Sequence, residues 1–200
     1  MKKQLTALDL SIGAIFVALM AIGANITSIA PFMVIGGVPI TLQTFFAILA
    51  GLILGSRLGM FTMLVYMLLG LVGAPIFAQF GGGPSSILMP TFGFIVSYPI
   101  LAFIIGRISE RKRTLPTYIT MALLGLVLNF LIGANWMYLA YQVWFEAPSG
   151  FTYALVWYWL ALPLVKDIVL AVIAGVFAYR LEKNFLSKRA FRTQRQVGSM

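Results

Sequence analysis

Two adjacent charged residues, Lys166 and Asp167, interrupt the last long apolar segment of this sequence. At membrane depth a central Asp or Lys costs about 2.5–3.5 kcal/mol on insertion scales, so such residues usually belong to a binding site or a transport pathway. Pro163 precedes the pair and frees a backbone carbonyl in the preceding turn, which loosens the helix at this position. A carboxylate beside an ammonium suits the recognition of a polar ligand, and a structural charge pair is the alternative.

Asn129 is predicted to lie at a similar depth in the preceding apolar segment. Gly125, Gly133 and Trp136 fall at helical spacing from it and share its face. This face can line a cavity in which Asn129 and Trp136 contact a ligand. Alternatively, Asn129 bonds to a neighbouring helix between glycines that allow close packing. Both interpretations stay open at this point.

The sequence between residues 77 and 94 is the third candidate for chemistry. It contains three consecutive glycines, two prolines and two serines among apolar residues, a composition that cannot be helical throughout. A simple turn needs about four residues, so this longer segment is expected to be an outside loop or a re-entrant segment whose backbone N–H groups bind a ligand. The candidate ligand-binding residues here are Phe80, Gly81, Gly82, Gly83, Ser85 and Ser86.

The composition excludes a water-soluble enzyme. Of 200 residues, 61% are hydrophobic and only 10% are charged, against about 25% charged residues in soluble domains. The absence of His and Cys removes imidazole acid–base steps, thiol nucleophiles and Cys/His metal sites. We therefore expect no catalytic residues, no metal and no cofactor. No P-loop motif occurs, so any ATP hydrolysis has to come from a partner.

Six apolar segments approach the length of about 20 residues that a helix needs to cross a bilayer. They are separated by connections that are rich in Pro and Gly or in basic residues. The segments are residues 8–29, 40–54, 58–76, 92–106, 118–145 and 153–181. The second and fourth are too short to cross upright comfortably. The predicted fold class is therefore an all-α membrane protein with six transmembrane helices.

The positions of the basic residues predict how these helices are oriented. Of the 14 Lys and Arg residues, all except Lys166 lie at the termini or in the connections that follow even-numbered segments. Because Lys and Arg concentrate in cytoplasmic loops, both termini are predicted to be cytoplasmic and the glycine-rich loop between helices 3 and 4 extracellular. The net charge of +9 then reflects topology and not nucleic-acid binding. Residues 1–183 form the membrane-embedded domain, and residues 184–200 are predicted to be a disordered, basic cytoplasmic tail.

Small side chains recur along one face of the first segment. A stripe of this kind allows another helix to approach closely. That helix can belong to this chain or to a partner protein, and periodicity does not decide between them. The members of the candidate docking stripe are Ser11, Ala14, Ala18 and Ala21.

Several short motifs occur together along the chain. They are Val38-Pro-Ile-Thr-Leu-Gln43-Thr, Gly51-x-x-x-Gly55 with Arg57-x-Gly59, Gly70-Leu-Val-Gly-Ala-Pro-Ile-Phe77, Phe80-Gly-Gly-Gly-Pro-Ser-Ser, and Pro90-Thr-x-Gly93. In this combination the sequence resembles the BioY family, the biotin-binding membrane subunits (S components) of energy-coupling factor (ECF) transporters. The resemblance covers roughly residues 8–182.

The resemblance implies high-affinity capture of biotin from outside a prokaryotic cell membrane. It also implies a complex with a transmembrane coupling (T) subunit and two cytoplasmic ATPases, with the docking stripe facing the coupling subunit. Gln43 joins the substrate-binding residues through its motif. Many family members carry a Lys three residues after the conserved Asp, where this chain has Leu170 and instead places Lys166 before Asp167.

The chemistry of biotin agrees with these candidates. Its ureido group needs hydrogen-bond acceptors and donors, its bicycle needs apolar walls, and its carboxylate needs a cation or free N–H groups. Asp167 can accept a ureido N–H with support from Asn129, while Lys166 or the amides of residues 81–86 can bind the carboxylate. Three alternatives remain: an S component for another vitamin, a gradient-driven small-molecule transporter and, less favoured, an intramembrane transferase.

Overall fold

The structure, a computed structural model, describes residues 6–26, 34–35 and 38–186. Within these residues it is almost entirely helical, which confirms the predicted all-α class. A short antiparallel pair of strands, β1 (Val34–Ile35) and β2 (Val38–Pro39), is the exception among them. The long helices are α1 (Ala7–Asn25), α2 (Gln43–Leu71), α3 (Phe92–Ser109), α4 (Leu115–Val143) and α5 (Tyr153–Leu181). All five are long and apolar enough to cross a membrane.

Helix α2 covers the second and third predicted segments, and it folds back on itself at Gly55. This residue has φ 82° and ψ −179°, a conformation that is essentially restricted to glycine. The Gln43 amide lies 2.8 Å from the Tyr66 hydroxyl, although their separation of 23 positions would span about 34 Å of straight helix. The two arms of α2, residues 43–54 and 56–71, therefore run antiparallel. No loop separates them, which explains five long helices where the sequence predicted six.

The end of α3 stabilises this reversal. The Glu110 carboxylate accepts hydrogen bonds from the backbone N–H of Ser56, at 2.8 Å, and from its hydroxyl, at 3.1 Å. The first N–H groups of a helix have no partner within the helix, so a carboxylate at this position stabilises the start of the second arm. A Cβ atom on Gly106 would lie 2.6 Å from the nitrogen of Ser56. Because Gly106 has no side chain, α3 can pack directly against the turn of α2.

All the described basic residues except Lys166 gather at this same end of the bundle. Glu110 joins the end of α3 to the α2 turn, and an ion pair between Arg113 and Glu182 joins the start of α4 to the end of α5. The basic residues in these segments are Arg57, Arg107, Arg111, Lys112, Arg113, Arg180 and Lys183. The structure therefore places at one end the residues that the sequence assigned to one side of the membrane.

The helices differ in how deeply they are buried. The two arms of α2 pack against α3, which packs in turn against α4, and α5 closes the bundle against α4 and α2. Helix α1 lies at the periphery, where it contacts mainly α2 and the turn Ala78–Phe80. Much of the surface of α1 is consequently uncovered by the rest of the described chain.

A π-helical turn, Glu182–Leu186, follows α5 directly. Residues 184–186 of the predicted disordered tail thus belong to this turn, whose hydrogen bonds are wider than those of an α-helix. Residues 187–200 of the predicted tail lie outside the described residues, as do residues 27–29 at the end of the first predicted segment.

We expect Gly55→Ala to lower the free energy of unfolding by about 1–3 kcal/mol, the cost of a strained backbone conformation. The added Cβ would also lie 2.4 Å from a carboxylate oxygen of Glu110. Thermal unfolding in detergent measures the loss. Gly150→Ala is the control, because Gly150 also has a positive φ, 74°, but a Cβ added there would have open space around it out to 4 Å. A Gly55→Ala loss no greater than that of Gly150→Ala would show that the close packing of Glu110 on the turn contributes nothing.

Candidate binding cavity

A cavity of about 420 Å³ lies between helices α2 to α5 and the glycine-rich loop. Its volume falls in the range of about 300–1,000 Å³ that is typical of small-molecule sites. Apolar and aromatic side chains from the loop, α3, α4 and α5 form most of the walls. They include Phe77, Phe92, Phe94, Phe130, Met137 and Leu160.

The charged pair of α5 lies at this cavity. The Lys166 ammonium is 2.9 Å from Oδ1 of Asp167 and also donates to the backbone carbonyl of Thr41. The contact with Asp167 has the distance of an ion pair but not the angles of a hydrogen bond, and among the described residues Oδ1 has no hydrogen-bond donor. Asp167 is only 6% exposed. This buried carboxylate is therefore ion-paired with Lys166 and keeps acceptor capacity for a donor on a ligand in the cavity.

Asn129 also lines the cavity, but its amide is used by the protein. It is fully buried, its Oδ1 accepts from the Thr44 hydroxyl at 3.1 Å, and its Nδ2 donates to the Ser97 hydroxyl at 2.6 Å. The second Nδ2 hydrogen goes to the carbonyl of Phe94 at 3.3 Å. These bonds join α2, α3 and α4. Asn129 thus has the interhelical role that the sequence allowed, and neither N–H is left for a ligand.

Gln43 lines the cavity from the start of α2. Its Nε2 donates to the Tyr66 hydroxyl at 2.8 Å, and Tyr66 donates to the carbonyl of Ile76, also at 2.8 Å. Both side chains are buried. This chain of bonds connects the cavity wall with the second arm of α2 and with the beginning of the loop.

The glycine-rich loop is held over the cavity by hydrogen bonds to several helices. In each of these bonds, the loop contributes a backbone N–H or carbonyl group from residues 80 to 89. The bonds are Phe80 N–H to Asn25 Oδ1 at 2.6 Å, Gly83 N–H to the Gly70 carbonyl at 2.7 Å, Trp136 Nε1 to the Met89 carbonyl at 3.2 Å, and Trp144 Nε1 to the Leu88 carbonyl at 2.7 Å. The loop therefore has a defined position relative to α1, α2 and α4.

The loop brings four of its six candidate residues to the cavity, namely Gly81, Gly82, Ser85 and Ser86. Within the loop, the amides of Gly81 and Ser86 are used in tight turns. The described residues provide no acceptor for the amide of Gly82 or for the hydroxyls of Ser85 and Ser86. These groups are available to an anionic part of a ligand.

Three other candidates do not line the cavity. Phe80 is 63% exposed, and its N–H is bonded to Asn25. Gly83 has φ 93° and uses its N–H on Gly70, so it shapes the loop. Trp136 donates to the loop and packs against Phe92. The structure places all three in contacts that support the loop and not in the cavity wall.

Several cavity residues were not singled out from the sequence. They are Thr41, Thr44, Tyr98 and Tyr141. Thr44 belongs to the motif that ends in Gln43-Thr, and its hydroxyl lies close to both Asp167 and Tyr98. Tyr98 follows Ser97 inside an apolar helix, so this pair of adjacent polar residues was the available signal. Tyr141 lies near the outer end of α4, where Tyr is also typical of the membrane interface, so its position along the helix does not distinguish the two roles.

The candidate docking stripe lies on the outer face of α1. Ser11, Ala14 and Ala18 are exposed and Ala21 is half-buried. The buried residues of this helix, such as Phe16 and Met20, are on its other side. Within the described residues the stripe is therefore not covered by the chain itself, and its contact with a partner stays a prediction.

Comparison with known sequences links this geometry to one group of proteins. Residues 1–187 match the family model described as the BioY family. A Bacillus subtilis (strain 168) protein named putative biotin transporter BioYB is 41% identical over 179 residues, which cover 88% of each chain. A Pyrococcus horikoshii protein named probable biotin transporter BioY is 44% identical over 178 residues, covering 89% of this chain and 98% of the relative.

A solved structure shares the fold. It is a crystal structure of the S-component for biotin from an ECF-type ABC transporter, and it superimposes with a TM-score of 0.63. The match covers 88% of this chain and 92% of the other, at 22% sequence identity. The arrangement of helices around the cavity is thus that of a known membrane-protein fold.

We expect Asn129→Ala to destabilise the protein by about 1–3 kcal/mol, because Thr44, Ser97 and the Phe94 carbonyl lose a buried partner. Thermal unfolding in one detergent gives the difference. Asn135→Ala is the matched control on the same helix, since Asn135 is exposed and donates only to the Leu131 carbonyl of its own helix, at 2.7 Å. If both variants lose the same stability, the interhelical bonds of Asn129 do not hold the bundle together.

Proposed function

This chain belongs to the BioY family, and from that membership we propose that it is the biotin-binding membrane subunit, or S component, of an ECF-type ABC transporter. The observation that carries the proposal is the Lys166–Asp167 pair, with Asp167 buried, at a cavity of about 420 Å³ with mostly apolar walls. Polar groups set among apolar walls suit a ligand that carries polar groups on an apolar body.

Biotin has this distribution of groups. Its ureido ring offers two N–H donors, and Asp167 and Gln43 provide acceptors in the same cavity. Its carboxylate needs donors, which the loop residues Ser85 and Ser86 supply, because Lys166 is held 2.9 Å from Asp167 and therefore lies at the ureido end of the ligand. Its bicycle requires apolar walls, which the aromatic side chains of α3 and the loop form. On this proposal biotin is the transported ligand and not a cofactor, and the chain performs no catalysis.

The orientation in the membrane follows from the charge distribution. If the two arms of α2 are counted separately, the chain makes six passes, and both termini lie on one side. The end that carries the basic residues is the cytoplasmic one by the positive-inside rule. The cavity and the glycine-rich loop are at the opposite end. Biotin therefore enters the cavity from the extracellular side of the prokaryotic cell membrane. The arms of α2, at about 18 and 24 Å, are shorter than the hydrocarbon core of about 30 Å.

Energy for uptake has to come from partner subunits. The chain contains no P-loop motif, so ATP binding and hydrolysis belong to two cytoplasmic ATPases that act through a transmembrane coupling subunit. The surface proposed for the coupling subunit is the docking stripe of α1, whose small side chains are exposed on the most peripheral helix. In lipid, where apolar burial supplies no driving force, small residues allow the close contacts that hold helices together.

We expect the purified chain to bind one biotin per molecule with nanomolar affinity and Asp167→Asn to weaken this binding by about 1–3 kcal/mol. The loss corresponds to a hydrogen bond to a charged group. Isothermal titration calorimetry in detergent measures both the stoichiometry and the affinity. Glu146→Gln is the control, because it removes a carboxylate at the exposed end of the connection after α4.

Two results would contradict these assignments. If calorimetry shows binding heat with thiamine or riboflavin but none with biotin, the substrate assignment is wrong and the transporter class stands. Unchanged biotin affinity in folded Asp167→Asn would make the charged pair a structural feature.

We expect Ala14→Trp combined with Ala18→Trp to abolish ATP-dependent biotin uptake and co-purification of the coupling subunit. Two indole rings one turn apart would hold a partner helix away and remove its dispersion contacts. Biotin binding by the isolated chain should stay within a few-fold of the parent, since the stripe is outside the cavity. The matched control is Ile173→Trp with Phe177→Trp, which changes two exposed positions at the same spacing on α5. Loss of biotin binding with retained co-purification would place the docking surface elsewhere.

A further inference from the structure

Tyr66 is a buried residue that does not line the cavity, yet its hydroxyl controls a residue that does. The side chain is 0% exposed, and its ring packs edge-on against Phe77. The hydroxyl lies between the Gln43 amide and the carbonyl of Ile76, at 2.8 Å from each. A phenol has one hydrogen to donate, so its two contacts cannot both be donations.

The carbonyl of Ile76 decides the direction of both bonds. A backbone carbonyl only accepts, so the single hydrogen of Tyr66 has to be donated to it. The phenol oxygen is then left only to accept, and the group of Gln43 that faces it has to be the NH₂. The amide oxygen is fixed on the other side of the Gln43 side chain. Without the bond to Ile76, the amide could bond to Tyr66 in either orientation.

The orientation of the Gln43 amide is therefore fixed, with its NH₂ on Tyr66 and its oxygen on the other side. It is 5% exposed and belongs to the cavity wall, and none of the described residues donates a hydrogen bond to its Oε1. This oxygen is not among the buried, unpartnered atoms of the described residues, so it stays accessible from the cavity. A ligand N–H there meets an acceptor, whereas a ligand acceptor at the same place would face a second acceptor.

We propose that Tyr66 is a positioning residue that makes Gln43 present an acceptor, so that the cavity selects a ligand with an N–H at this position. The inference rests on the proposed function, in which that N–H is one of the two in the ureido ring of biotin. Asp167 provides an acceptor for the other. Two acceptors in one cavity match the two N–H groups of a cyclic urea. They discriminate against a ring that carries an acceptor in place of either N–H.

A double-mutant cycle tests whether Tyr66 acts through Gln43. Tyr66→Phe should raise the dissociation constant for biotin about 3- to 10-fold, the effect of one neutral hydrogen bond. In the Gln43→Leu background the same change should have less than about a twofold effect, because no amide is left to orient. The lost bond to Ile76 is common to both backgrounds and cancels in the comparison. Equal effects in the two backgrounds would overturn the proposal.

Tyr118→Phe is the matched control for the phenol. Tyr118 is 3% exposed and packs edge-on against Tyr179 on α5, at the basic end of the bundle. It loses the same hydroxyl from a buried ring but should leave biotin affinity unchanged. A fall equal to that of Tyr66→Phe would show that the effect is general destabilisation and would count against a positioning role.

A second measurement does not require any variant of Tyr66 to fold. Two cyclic carbamate analogues of biotin each replace one ureido N–H by oxygen. Gln43→Leu should weaken biotin binding but leave the affinity for one of these analogues unchanged or higher, because that analogue has lost the N–H and its ring oxygen faces the Gln43 acceptor. Equal weakening for biotin and both analogues would overturn the proposal. Failure of the parent chain to bind biotin at all would instead refute the proposed function.

Discussion

A polar group that is buried away from water has to bond to another polar group, and this constraint governs the whole bundle. The amide of Asn129 bonds to side chains of α2 and α3, and the Lys166 ammonium bonds to the backbone just before α2. Each of these bonds crosses between elements. Polar residues that would be costly to bury without a partner thus fix the relative positions of the helices. The acceptors of Asp167 and Gln43 that take no hydrogen bond from the described residues lie at the cavity, and the Thr62 hydroxyl on the second arm of α2 is the buried exception away from it.

Such bonds between short side chains require the backbones to come very close. A Cβ on Gly51 would lie 2.9 Å from the backbone of Ala102 on α3, and one on Gly133 would lie 2.3 Å from the ring of Phe94. Gly133 shares the helix face of Asn129, whose amide bonds to the carbonyl of the same Phe94. The close packing of the helices and the polar network therefore depend on each other. Larger residues at these glycines would separate the helices and break the hydrogen bonds together.

The sequence was sufficient to predict what depends on hydropathy and charge. Apolar length gave the helical segments, and the basic residues predicted which ends lie together. The cost of a buried charge identified Lys166 and Asp167 as cavity residues. These properties are local, or they are sums over a segment, so no contact has to be known in advance.

What the sequence left open depends on contacts between distant residues. The reversal of α2 rests on the unusual backbone of Gly55 and on the approach of Gln43 to Tyr66, and neither is visible in composition. For the same reason Asn129 had two interpretations until Thr44 and Ser97 were known to be its partners. Phe80 was chosen for its place in a motif, while its role in the structure comes from its backbone N–H.

The distribution of deep charges also separates the proposed function from its gradient-driven alternative. A proton relay through a transporter runs along a series of titratable groups on the membrane-spanning helices. Among the described residues, Lys166 and Asp167 are the only ionisable pair far from the helix ends, and Lys166 is already bonded to the carbonyl of Thr41. A single pair favours the recognition of a ligand over an ion relay. In the proposed function, energy for uptake reaches the cavity through contacts with other subunits, and α1, peripheral and bonded to the loop through Asn25, is the surface proposed for them.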